Sequence, residues 1–195
     1  MSKLREAFEK GEFAITAEMA PPKGTDLSHL AECAKLVIGR VHAANVTDNQ
    51  SAVMRTSSLA TCKMLKDLGL EPVIQMTGRD RNRIAIESEM LSAGFFGIDN
   101  LLALTGDHVC VGDHKQAKPV FDLDAVSILS TATMMNNGTD STGLELKGKT
   151  DFFLGACVTP EYDPIEVQLL KMEKKIKAGA KFFQTQAVYD LSLIH

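Results

Sequence analysis

Short apolar runs alternate with longer stretches of helical periodicity along this chain. The runs fall at 13–19 (FAITAEM), 41–46 (VHAANV), 72–76 (PVIQM), 98–104 (IDNLLAL), 152–158 (FFLGACV) and 182–185 (FFQT). Each is too short for a core helix, and several are rich in β-branched or aromatic residues, so they predict buried strands.

The intervening segments carry helix punctuation. Asp26 is placed to cap a helix bearing Leu27, Leu30, Ala34 and Val37, with Gly39 as its stop. Thr56 or Ser57 opens a second helix ending at Gly69, Asp80 a third running towards Gly94, and Asp122 or Asp124 a fourth. The fifth has the fullest set of signals. Asp163 stands at the N-cap, Pro164 at the first helical position and Glu166 near the positive end of the dipole. Ile165, Leu169, Met172 and Ile176 then recur at helical spacing before Gly179.

About six strand–helix units in strict alternation predict a parallel α/β architecture. The two forms open to it are a doubly wound sheet and a (β/α)8 barrel. No G-x-G-x-x-G follows the first strand, which weighs against a dinucleotide-binding Rossmann domain. With no linker or internal repeat visible, residues 1–195 are expected to form a single domain.

Every expected strand ends on polar groups: Glu18, then Thr47 and Asp48, Gln75 and Thr77, Thr105 and Asp107, Thr159, and Gln186. One polar strand end is only the start of a loop. Six together suggest a shared polar mouth, because parallel barrels place their active sites at the C-terminal ends of the strands. Glu18 stands out. The sequence Met-Ala-Pro-Pro after it stiffens the exit from the strand, and expected apolar surroundings would suit a general acid working near neutral pH. A carboxylate merely bridging to a nearby Lys or Arg accounts for it equally well.

Composition narrows the partners. The chain has 195 residues, a formal net charge of −4, 45% hydrophobic and 24% charged residues. Such a balance fits a globular protein with one substantial core and gives no reason to expect nucleic acid or an anionic membrane as a partner. The opening MSKLREAFEKGEF lacks the apolar region of a secretory signal, and no run approaches the length of a membrane span. Cys33, Cys62, Cys110 and Cys157 are widely separated, without a C-x-x-C pair. Free thiols in a cytoplasmic protein are therefore expected.

Two local motifs invite other readings. GLELKGKT (143–150) matches the phosphate-binding pattern G-x-x-x-x-G-K-[ST]. A working P-loop needs a strand before it and a helix after it, whereas here a turn-rich segment precedes it and a strand follows, so the match reads as coincidence. TGDHVCVGDH (105–114) offers Asp107, His108, Cys110, Asp113 and His114 as metal ligands, but their spacing fits no standard zinc pattern. No metal is expected, and a metal-dependent barrel hydrolase or lyase is the least favoured reading.

AEMAPPKG, NVTDNQSA, QMTGRDRNR, LALTGDH, CVTPEYDP and FFQTQAVYD occur in this order, each at a strand end. Together, over about residues 10 to 190, they resemble the methylenetetrahydrofolate reductase family, flavoproteins built on a (β/α)8 TIM barrel. The resemblance implies FAD-dependent reduction of 5,10-methylenetetrahydrofolate to 5-methyltetrahydrofolate by NADH or NADPH, in one-carbon and methionine metabolism. It implies that Glu18 is the general acid that helps to open the substrate's five-membered ring. Asp107 would lie between flavin and folate, and Gln186 would hydrogen-bond the pterin or nicotinamide. Thr47, Gln75, Leu104, Thr105 and Gly106 would line the flavin ring and ribityl chain. Phe121, Asp122, Thr159, Asp163 and Lys175 would hold the rest of FAD, Lys175 as a point charge at the diphosphate. A homo-oligomer is expected.

The sequence departs from the family in places. Members usually have a histidine or similar donor where this chain has Gln75, and an arginine where it has Thr105. TGRDRNR and LTGDHVCVGDH are similar to forms from anaerobic one-carbon metabolism, some of which work with a second, electron-transfer subunit. Six units are fewer than the eight of a barrel of roughly 250 residues, and the tail LSLIH (191–195) does not resemble the family's continuation. The expectation is thus an incomplete barrel with two free sheet edges. A chain that binds flavin without turning over is the second reading.

Overall fold

A computed structural model describes residues 1–194; the terminal His195, which the sequence reading singled out as part of an atypical tail, lies outside the described residues. The strands are β1 (Thr16–Met19), β2 (Ala43–Val46), β3 (Pro72–Thr77), β4 (Asn100–Leu104), β5 (Phe153–Val158) and β6 (Phe182–Thr185). They form one sheet in the order β1-β2-β3-β4-β5-β6, each pair parallel. Between them run α2 (Ser28–Val37), α3 (Ser58–Asp67), α4 (Arg83–Phe95), α5 (Ala125–Asn136) and α6 (Ile165–Lys177), preceded by α1 (Lys3–Glu9) and followed by α7 (Leu191–Ile194). This is a six-stranded, incomplete (β/α)8 barrel, curled and open between β1 and β6.

The period-two alternation of each strand sorts its side chains onto two faces. Ala44, Val46, Ile74, Met76, Leu101, Ala103, Leu154 and Ala156 pack outward, against the helices through Ala34, Cys62, Leu65, Ile86, Met90, Ile128 and Leu129. Ala43, Val73, Leu102, Phe153 and Phe182 point inward and form a second cluster with Leu4 of α1. Sequence periodicity did not predict α1. Its signals are slight: Ser2 caps it by accepting from the Arg5 amide, and Leu4 and Ala7 are its buried residues. Glu71 accepts from the amides of Lys3 and Leu4, while Ser2 donates to Asn100, so α1 closes the N-terminal end of the sheet. Most inward apolar residues thereby gather at that end, and the C-terminal end is left mainly to polar groups.

Several helix starts differ from expectation. Asp26 accepts from the amide and hydroxyl of Ser28 in a tight turn, and Leu27 takes the flanking position of α2. Asp80 is held by Arg79, so Asn82 caps α4 instead, accepting from the Ala85 amide. At the two starts where the sequence left a choice, one of the expected pair is the cap: Asp124 for α5 and Ser57 for α3. Pro164 is extended (φ −77°, ψ 139°) and flanks α6, which leaves Asp163 one residue outside it. The apolar periodicity of α6 is also not a core face. Ile165, Leu169 and Ile176 are exposed and Gln168 is its buried residue, because no described element packs on that side.

Candidate active site

Successive inward positions at the C-terminal strand ends enclose a cavity of about 420 Å³. That volume lies within the usual range for small-ligand sites. Its walls include Glu18 from β1, Thr47 and Asp48 after β2, Gln75 and Thr77 of β3, Leu104, Gly106 and Asp107 from β4, Cys157 of β5, and Gln184 and Gln186 at β6. Parallel register explains the convergence. Thr77 lies opposite Leu104 and Cys157 opposite Gln184, so neighbouring strands deliver inward side chains side by side, while Glu18 lies opposite Asn45, one inward position before Thr47.

Of the residues singled out from sequence, Glu18, Thr47, Gln75, Leu104, Gly106, Asp107 and Gln186 meet in this cavity. Glu18 is exposed, contrary to the apolar surroundings expected for it, because β1 is an edge strand and its free side carries no neighbour. Thr47 is 3% exposed, and its hydroxyl oxygen is buried without a protein partner. Gln75 is also buried. An unpaired buried hydroxyl beside an amide is the donor and acceptor set that a heteroaromatic ring with carbonyl edges requires.

The remaining singled-out residues lie outside the cavity wall. Thr105 accepts from the Ala125 amide and so anchors the start of α5. Phe121, in a left-handed conformation (φ 44°), stacks on His108. Asp122 is bound by the Arg83 guanidinium, which together with the Arg83 amide holds its carboxyl down at about 2. Thr159 is half-buried just past β5, and Asp163 is exposed before α6. Lys175 reaches back from α6 and donates to the Cys157 carbonyl; burial lowers the pKa of its ammonium. It is thus set apart from the other cations of its helix.

Asp48 and Thr77 stand among the polar strand ends expected from sequence, but the arginines that pair beneath them do not. Asp48 is 5% exposed, and its Oδ2 accepts from the Thr77 amide and hydroxyl and from Arg81. Arg81 also binds Glu89. Arg79 is 2% exposed and makes a two-pronged contact with Asp80, whose carboxyl it holds below the usual range. The signal was the string GRDRN itself, in which arginines immediately follow a buried strand. Facing the cavity are three carboxylates, Glu18, Asp48 and Asp107, and one guanidinium, Arg79, a balance that favours a cationic ligand centre.

In 143–150, Thr150 is buried and its hydroxyl donates to Asn136, and the chain runs on into β5 rather than a helix. In 105–114, His108 accepts from the Cys110 amide, while Asp113 is taken up by Lys23, His114 and the Met54 amide. Among the described residues, no group of three or more His, Cys, Asp and Glu side chains is placed to hold a metal ion. No helix among them is long and apolar enough to cross a membrane.

A polar cavity at the C-terminal ends of parallel strands defines a barrel of the enzyme-bearing type. Residues 3–193 match the family model for methylenetetrahydrofolate reductase, and the chain belongs to that family. No curated protein matches it. Among solved structures it is similar to 2,3-dimethylmalate lyase, a PEP mutase/isocitrate lyase superfamily member. The trigonal form gives a TM-score of 0.64 at 12% identity over 100% of this chain, and the triclinic form 0.62 at 12% over 99%. At that identity the likeness is one of fold. The chain spans 65% and 66% of the length of those two structures.

Proposed function

We propose that the protein serves FAD-dependent reduction of 5,10-methylenetetrahydrofolate to 5-methyltetrahydrofolate, with NADH, NADPH or a reduced partner subunit as electron donor. The observation that carries this reading is the meeting of Glu18, Asp107 and Gln186, far apart in sequence, in one cavity of a chain that belongs to the family.

FAD, when bound, supplies the hydride chemistry by accepting from the donor and giving to the folate in turn. The protein's own part is binding, orientation and proton supply. Thr47 and Gln75 offer hydrogen bonds to the flavin ring, Leu104 an apolar contact, and Gly106 a backbone that approaches closely. Lys175 offers one positive charge to the diphosphate. Phe121, Asp122, Thr159 and Asp163, which are outside the cavity lining, are assigned to the rest of the dinucleotide by the family resemblance alone.

Glu18 holds the proton given to the amine nitrogen that leaves when the substrate's five-membered ring opens. The Asp107 carboxylate stabilises the cationic iminium so formed, and the overall negative charge of the cavity acts in the same sense. The side-chain amide of Gln186 both donates and accepts, as pterin recognition requires.

The test is to measure the two half-reactions separately under anaerobic conditions, flavin reduction by NADH or NADPH and flavin reoxidation by methylenetetrahydrofolate. Reoxidation by the folate supports the reading, and bound flavin that the folate leaves reduced contradicts it.

A further inference from the structure

The loops that carry the cavity's carboxylates are joined below its surface by one hydrogen-bonded chain centred on Arg79. Its Nη1 donates to the Asp107 carbonyl at 3.2 Å and its Nη2 to the Asn49 carbonyl at 3.1 Å. Its Nε and Nη2 grip the two Asp80 oxygens at 2.8 and 2.7 Å. Asp80 Oδ2 also accepts from the Asn49 amide side chain at 3.2 Å. Asn49 Oδ1 in turn accepts from the Arg55 amide, and Arg55 Nη1 donates to the Pro21 carbonyl, each at 3.0 Å. Pro21 is three residues beyond Glu18. The chain therefore runs from the loop after β4 through those after β3 and β2 to the loop after β1.

What this chain holds is strained. Asn49, Ser51 and Ala52 have φ of 44°, 56° and 56°, in the left-handed region that asparagine tolerates but serine and alanine rarely adopt. Such strain persists only where the surroundings over-determine the backbone, and it tends to cluster at functional sites. Packing supplies part of that constraint. A Cβ at Gly112 would lie 1.9 Å from the Ala52 carbonyl oxygen, so the loop after β4 presses directly on the strained one. Arg79 supplies the rest. It is nearly fully buried and spends its donors on two backbone carbonyls and one carboxylate, a use for which its planar fork is suited and an ammonium is not.

We infer that Arg79 is a positioning residue that fixes the loop bearing Asp107 against the loops following β1 and β2, and so sets the placement of Asp107 relative to Glu18. Arg79 acts on the backbone of Asp107, and its guanidinium bonds leave the Asp107 carboxylate free for a ligand. The inference rests on the proposed reductase reading for its catalytic consequence, but not for its structural one.

The test uses Arg79→Lys, which keeps the charge and loses the fork, with Arg55→Lys as a milder variant at the far end of the chain. Amide hydrogen exchange on the full chain without added flavin is the first readout. Segments 47–55 and 105–112 should exchange at least ten-fold faster in Arg79→Lys while 72–76 and 128–135 keep their wild-type rates. Unchanged loop exchange, or equal acceleration throughout the sheet, would overturn the positioning role. In flavin-loaded protein the folate half-reaction should slow at least ten-fold in Arg79→Lys, with flavin reduction changed less than three-fold. Equal slowing of both would also overturn it. Should wild-type protein show no folate half-reaction, the functional reading fails and the exchange experiment still decides the clamp.

Discussion

Asp48 accepts two hydrogen bonds from Thr77 through a single oxygen, from the amide at 2.8 Å and from the hydroxyl at 2.9 Å. The same oxygen meets the guanidinium of Arg81, and the Asp48 side chain is only 3% exposed. Removing one partner of a buried ion pair leaves an uncompensated charge, a loss of about 3–5 kcal/mol. Arg81→Met is therefore expected to lower the unfolding free energy in urea by that amount. The double variant Asp48→Asn, Arg81→Met should regain part of it. A single variant as stable as wild type would show that the cluster holds nothing together.

The pair between Asp122 and Arg83 gives a pH dependence with a defined sign. The folded-state carboxyl lies at about 2, below its ordinary value of 3.8. A depressed carboxyl adds stability above the unfolded value and loses it as pH falls through the folded value. The pair should thus be intact at pH 5 and lost on acidification from about 4 to 2. Carbon-detected NMR titration should find Asp122 titrating near 2, and Arg83→Gln should return it towards 3.8. An Asp122 already titrating near 3.8 in the wild type would contradict the pairing.

Gly78 links the mouth of β3 to the segment before α5. Its amide donates to Leu104 and its carbonyl accepts from Phe121, and a Cβ built on it would lie 1.8 Å from the Leu123 carbonyl oxygen. Backbone cannot yield as a side-chain tip can. Gly78→Ala should cost about 1–3 kcal/mol, the usual range for overpacking, seen as a lowered Tm. An unchanged Tm would mean that the approach of residue 123 is not tight.

For the chemistry, Glu18→Gln keeps the size and polarity of the side chain and removes its proton. It should reduce the folate half-reaction by at least 10²-fold, the usual range for a general acid. Flavin reduction by the pyridine nucleotide should remain nearly intact. Stopped-flow absorbance of each half-reaction checks this, and equal loss in both would exclude a proton-donor role.

The strands were legible in the sequence because each is a short apolar run, covered on both faces in β2 and β3 and along most of β4 and β5. The polar mouth was legible because strand ends recur on one side of a parallel sheet. Hydrogen-bond partners were not. Asp26, Asp80 and Asp122 all have the composition of helix caps, but Ser28, Arg79 and Arg83 claim their carboxylates first. The apolar periodicity of α6 gave its helical character but not its buried side, since periodicity does not say what packs there. α1 escaped because seven residues with two buried positions scarcely rise above the charged background. Arg79 and Arg81 were not singled out, because their partners Asp107, Asn49, Asp48 and Glu89 come from other elements of the chain.

The proposed function requires the cavity between the strand ends to be a flavin site, which a visible absorption spectrum would reveal. The purified chain would be mixed with FAD, desalted and scanned. A retained, protein-perturbed flavin spectrum approaching one FAD per chain is expected, weakened by Thr47→Val and by Lys175→Ala. A folded, colourless protein after desalting would contradict it.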